Sequence, residues 1–364
     1  MHCRRRCFWL IILLATPAPA AAGLYSPDEG SYFNIDEHGY AQALAYPDFR
    51  VALSRLSELN VPTSGAHREV AARIEKRLAR GAQTLPVEEL AGLTYDLMRL
   101  GRTDEALNIL QSVGRDRSRT GFLVLAHLAE AHRARSEWDD AYEHQYSAVR
   151  DYQFPKLFPQ LSEAQLDWYH RVESEYYLPL LFHRKESARQ KRLAVQDSLD
   201  PLFPPPKHGE VRQAEGNAIQ YVAEGGKYEA GMIAAAEKTK LPPDAIAIVQ
   251  QLILWDPSDN RLLWQLAELY NAEGNVAAAK DLFDMCADAR KYSHPQLMEH
   301  RRIVLEALEA RAEADRQAAE EVKSRERRQY YLVGGIGGAL VLLLGYWQLR
   351  EWRRRLQAAR ARSV

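Results

Sequence analysis

The stretch that decides the fold is Leu263–Cys286, LWQLAELYNAEGNVAAAKDLFDMC. Leu263, Leu266, Ala267 and Tyr270 recur at helical spacing, and so do Ala279, Phe283 and Cys286, with Gly274 between the two runs. Neither helix can bury its stripe alone, so the spacing predicts an antiparallel pair. Upstream, LPPDAIAIVQQLILWDP carries Ala245, Val249 and Leu252, the same spacing as Ala279, Phe283 and Cys286 displaced by 34 residues. It reads as the second helix of an incomplete pair.

Two further pairs lie nearer the N-terminus. In 86–150, Leu90, Leu93, Thr94 and Leu97 make one stripe, Gly101 turns the chain, and Ala106, Leu110 and Val113 make the next. Leu125, Leu128, Ala129 and His132 lead through Ser136-Glu137-Trp138 to Ala141, Gln145 and Ala148. Ala106 and Ala141 are 35 residues apart, one more than the 34 residues of a tetratricopeptide repeat. These pairs resemble the tetratricopeptide-repeat (TPR) family. The expected fold is mostly α, an α-solenoid of antiparallel helix pairs.

In that family the first helices of successive pairs line a groove that receives an extended peptide or a partner helix. Carried onto this sequence, the groove positions are Tyr95, Met98 and Arg99 in the first pair. In the second they are Glu130 and Arg133, and in the third Arg261, Trp264, Glu268 and Asn271. The resemblance therefore implies a protein or peptide partner, with both charged and apolar groups, and no catalysis.

The two ends read differently from the body. Residues 1–22 have a basic start, the apolar run FWLIILLA, and Ala20-Ala21-Ala22 before Gly23, which is the pattern of a cleaved secretory signal. Tyr330–Trp347, YYLVGGIGGALVLLLGYW, is uncharged and bounded by aromatic pairs. As a helix it is about 27 Å long, enough to span a bilayer once. This predicts a single-pass membrane protein with an extracytoplasmic body, periplasmic or extracellular, and a basic cytoplasmic tail at 350–364. Gly334 and Gly338 form a G-x-x-x-G pair through which two copies could associate as a homodimer.

The remaining segments are a helical region within 23–85, a long aromatic helical segment at 151–200 that Pro179 should kink or break, and a Pro-rich linker from 201. Residues 23–47 look extended or loosely packed. NAIQYVAEGGKYEAGMIA (217–234) reads as a small β-hairpin around Gly225-Gly226, with a repeat helix broken at the glycines as the rival. Residues 242–296 hold the best repeat, at 261–290. Residues 297–329 read as a charged, solvated helical stalk.

Net charge is −1, but with three Arg in 1–22 and six Arg against one Glu in 350–364 the rest carries 39 basic and 48 acidic residues. An acidic body argues against nucleic acid. No G-x-G-x-x-G, P-loop, H-E-x-x-H, G-x-S-x-G or C-x-x-C occurs, so no cofactor is expected. His170 and Glu173, with His183 and Glu186, are spaced as metal ligands on one helix face, but two per turn do not make a zinc site, and no metal is expected. Two rival readings follow: an enzyme with a site around Trp168–Glu186, or a subunit of a membrane complex held through its transmembrane helix. Cys286 occupies a small-residue slot, and it is the one cysteine beyond the expected signal.

Overall fold

The computed structural model describes residues 25–27, 31–114, 119–153, 160–190, 199–205 and 217–361. The expected signal segment and part of the Pro-rich stretch lie outside these. The chain divides into two units, 1–304 and 305–364. It is mostly helical, and among the described residues there is no strand, only an isolated bridge between Ile35 and Ala41.

In chain order the helices are α1 (Tyr46–Glu58), α2 (Gly65–Leu78), α3 (Val87–Arg99), α4 (Thr103–Gly114), α5 (Phe122–Ala134), α6 (Trp138–Asp151), α7 (Glu163–Arg171) and α8 (Leu178–Arg189). A single turn, α9 (Ala235–Lys238), precedes α10 (Ala245–Trp255), α11 (Asn260–Ala272), α12 (Val276–Asp284) and α13 (Pro295–Ala361). Within the first unit α3 packs on α4, α5 on α6, and α11 on α12.

The three pairs turn in the same way. The amides of Arg102, Glu137 and Asn275 each reach back five residues, to the carbonyls of Leu97, His132 and Tyr270, at 2.8, 2.9 and 2.8 Å. This closure needs a left-handed residue just before the donor. Gly101 (φ 73°) and Gly274 (φ 79°) supply it in two pairs, and Ser136 (φ 60°) in the other. The stripes named above are buried: Leu90, Leu93, Leu97, Ala106, Leu110, Ala129, Ala141, Ala148, Leu266, Ala279 and Phe283 are all within 4% of full burial.

Four expectations change. Residues 217–234 are not a hairpin: a turn closes from Ala223 N to Lys227 O at 2.8 Å and Ala234 N reaches Val222 O at 2.7 Å, but no strand ladder forms before the segment reaches α9. Pro179 does not break its helix. The hydrogen-bond register widens to π over Val172–Tyr177, so α7 runs on into α8, with Pro179 in the first turn of α8 where a missing N–H is tolerated. Residues 25–27 and 31–44 carry no helix but are not loosely packed. Tyr25, Phe33 and Ala41 are buried, and Leu44 exchanges two hydrogen bonds with the Gln250 side chain, at 2.9 and 3.0 Å. The linker is in part core, since Leu202 and Phe203 are buried and Phe203 meets Tyr176 with ring centroids 5.8 Å apart.

In the second unit α13 is helical to Ala361, and its large apolar side chains from Tyr330 to Trp352 are exposed. It is long and apolar enough to cross a membrane. A Cβ placed at Gly338 would meet nothing within 4 Å.

Candidate partner-binding cleft

The last turns of α3 and α5 face the C-terminal end of α10 across a cleft of about 520 Å³. Met98 and Arg99 come from α3, Glu130 and Arg133 from α5, and Trp255 and Asp256 from the end of α10. Leu56 of α1 and Arg290 complete its apolar and charged walls.

The chemistry follows from a helix end facing two arginines. The last carbonyls of α10 have no partner within the helix. Arg99 donates to two of them, Leu254 O at 2.7 Å and Trp255 O at 3.3 Å, and its guanidinium lies over the Tyr95 ring at 5.1 Å. Arg133 donates through Nε to Glu130 at 2.9 Å and through Nη1 to Asp256. Burial works against the Arg133 cation, but Asp256 and Glu130 outweigh it and hold its pKa well above the ordinary value. Burial likewise opposes ionisation of Asp256, and Arg133 with the Ser258 hydroxyl reverses the balance, leaving its pKa lowered. Arg290 donates to Pro257 O at 2.5 Å. The cleft is therefore lined by fixed, paired charges. The Trp255 indole is 1% exposed, and its N–H is buried with no hydrogen-bond partner.

Of the nine residues placed in a groove by sequence, Met98, Arg99, Glu130 and Arg133 line this cleft. Tyr95 is buried beneath Met98. The third pair departs from expectation. Arg261 pairs with Asp200 at 3.3 Å, beside the buried Arg184, which also holds Asp259. Trp264 and Glu268 are fully buried; the indole N–H donates to Glu268 at 2.6 Å, and His300 Nδ1 lies 2.7 Å from the same carboxylate. Asn271 is buried too, donating to Glu229 O and accepting from Gly231 N. Trp264 packs on Tyr292 and His294, and the 217–234 segment closes the rest of the face. It lies over this face: the Gln265 amide donates at 2.5 Å to the Tyr221 hydroxyl, and the Tyr228 ring stacks on His300 at 3.6 Å.

A second buried polar centre was not foreseen. The Tyr25 amide donates to His127 Nε2 at 2.9 Å, and His127 Nδ1 shares a proton with Thr94 Oγ1 at 2.7 Å. The Tyr25 hydroxyl donates to Glu173 at 2.8 Å, and the Gln145 amide donates to the other oxygen. Burial pushes His127 down to about 3. Burial also pushes Glu173 up to about 8, against the lowering effect of the Tyr25 hydrogen bond. No local pattern in the Tyr- and Asp-rich segment announces these contacts.

The ligand-spaced residues of the aromatic segment do not converge. Glu173 is committed to Tyr25 and Gln145, His183 is buried, and Glu186 meets Arg189 at 3.5 Å. Cys286 is fully buried, and burial raises its thiol to about 12, the behaviour of an inert core cysteine. No protein-family model, curated protein or solved structure matches the chain.

Proposed function

We propose that this protein is a membrane-anchored helical-repeat scaffold that binds a protein or peptide partner and catalyses no reaction. The repeats are read as TPR-like, the body as an α-solenoid on the extracytoplasmic side, and Tyr330–Trp347 as its single membrane span. The observation that carries the reading is the 520 Å³ cleft, where four groove residues chosen by repeat register meet a helix end whose carbonyls and carboxylates are already neutralised. Such a surface offers apolar area at Met98, with the buried Leu56 and Trp255 as its floor, bordered by charges whose desolvation cost is already met within the protein. This suits recognition of a segment of mixed character. The enzyme reading draws no support from Trp168–Glu186, because Glu173 is held as a structural carboxyl. The complex-subunit reading keeps one favourable observation, the open glycine face at Gly338.

Site-specific photo-crosslinking in membranes tests the proposal. A probe at Ser57 or Asn60, exposed residues of the cleft mouth, should give a discrete protein adduct that Met98→Arg removes. The same probe at exposed Glu69 on α2 should give none. Adducts of equal yield from both positions, or adducts indifferent to Met98→Arg, would sink the cleft reading. Replacing Gly334 and Gly338 by Leu should leave the adduct intact; its loss would shift the contact to the membrane helix.

A further inference from the structure

The turn between α5 and α6 gathers ligating side chains that the cleft does not use. His132 stands in the last turn of α5, Glu137 just before α6, and Asp140 in the first turn of α6. One ligand atom from each lies within 4.8 Å of the others. His144 follows Asp140 by one helical turn on the same face, and its ring is nearly parallel to that of His132, with centroids 5.2 Å apart and planes at 20°.

The fold prepares this grouping. The left-handed Ser136 reverses the chain, and the Glu137 amide closes on His132 O at 2.9 Å, which brings the Glu137 carboxylate onto the imidazole. His132 Nδ1 and Glu137 Oε2 are 2.6 Å apart. Arg135 donates to the other oxygen, Oε1, at 2.9 Å, so Oε2 is the one turned to the group. The His132 side chain is 9% exposed and that of Glu137 33%, while Asp140 is open to solvent. The group thus has a fixed inner half and an accessible outer half.

We propose that this turn is a divalent transition-metal site of the zinc type, with His132, Glu137 and Asp140 as ligands and His144 as the fourth. Two imidazoles and two carboxylates suit zinc and its borderline neighbours, whereas calcium and magnesium take oxygen sets. Ligand atoms about 2.0–2.2 Å from a tetrahedral ion lie roughly 3.3–3.6 Å apart, so exposed Asp140 closes in by about 1 Å at most, and His144, outside that 4.8 Å group, turns its ring in as the fourth ligand. The ion takes the place of the hydrogen between His132 Nδ1 and Glu137, and the neutral imidazole then carries its proton on Nε2. The bound ion would tie the end of α5 to the start of α6, one residue from Arg133 of the cleft. The site does not depend on the cleft having a partner.

The test uses the full chain in detergent, titrated with Zn²⁺ against a chromogenic chelator. A parallel titration with Co²⁺ reads coordination from its visible spectrum. The expected result is one ion per chain, a tetrahedral cobalt spectrum and a rise in Tm on zinc addition. Asp140→Asn and His144→Ala, both on the accessible half, should each weaken binding by about tenfold or more, since even outer-shell changes cost 10–100-fold. Their circular dichroism should be unchanged, which keeps the test clear of His132→Ala, a buried substitution that can unfold the turn. Absence of stoichiometric binding overturns the proposal. So does binding that survives both Asp140→Asn and His144→Ala; the His132–Glu137 contact would then be a turn-fixing hydrogen bond alone.

Discussion

Two stretches of this chain are almost equally apolar and have opposite surroundings. In α10, AIAIVQQLILW, ten residues are buried inside the first unit. In Tyr330–Trp347 the large side chains are exposed, Tyr330 at 79% and Leu342 at 76%. The difference lies in the polar groups each stretch carries. α10 has Gln250 in its middle and Asp244 and Asp256 at its ends, and all three are held by distant partners: Leu44, Trp168 and Arg133. The other stretch has no charged side chain, and helical hydrogen bonding satisfies its backbone from within, as a spanning segment in hydrocarbon requires. The apolar run within the first unit carries polar handles that register it against its neighbours; the exposed run has none.

Substitutions can break this contrast from either side. The largest effect is expected from Trp255→Ala, which empties a fully buried indole site facing Tyr177 at 5.2 Å. It should cost about 3–5 kcal/mol in chemical denaturation and leave membrane retention unchanged. Leu342→Arg should do the converse. On the proposed membrane reading, a charge near the middle of Tyr330–Trp347 costs about 3 kcal/mol of insertion, which would release the protein on alkaline extraction with the body's denaturation midpoint unmoved. Loss of body stability in Leu342→Arg would refute the separation of roles.

Buried charge gives the next test. Glu173 titrates near 4.5 when unfolded and about 8 when folded. Between those values the folded chain keeps a proton that the unfolded chain has released, so its contribution is fully present below about 4.5 and is lost as pH rises towards 8. The slope is at most about 1.4 kcal/mol per pH unit. Glu173→Gln should flatten that alkaline decline in Tm. His127, lowered from 6.5 to about 3, acts in the other direction, with stability lost as pH falls from 6.5. An unchanged alkaline slope in Glu173→Gln would show that another group sets it. The smallest effect is expected from Gln250→Leu, which strands the Leu44 amide and carbonyl; about 1–2 kcal/mol should be lost, seen as faster amide exchange at Leu44.

The helix pairs were legible because their signals are local: stripes at helical spacing, Gly101 and Gly274 at the turns, and an uncharged run near the C-terminus. Met98, Arg99, Glu130 and Arg133 were legible by register alone. What stayed hidden depends on which surfaces meet. The covering of Trp264 depends on Tyr292 and His294, and that of Asn271 on Glu229 and Gly231, in a segment whose alternation of Tyr with polar residues mimics a strand. Trp255 and Asp256 enter the cleft because a helix happens to end there, facing two arginines. The seat of Tyr25 joins residues 102 and 148 positions apart, a relation that no window of sequence contains.

The hold of α10 on Ala41 and Leu44 has a consequence in time. Ala41 and Leu44 bond to Asp244 and Gln250, which are 203 and 206 residues later in the chain. The first part of the body to be made is thus among the last to find its place, because its partners do not exist until most of the chain has been synthesised. Seating of Ala41 and Leu44 therefore awaits α10, and a chain arrested before Gln250 would lack their partners.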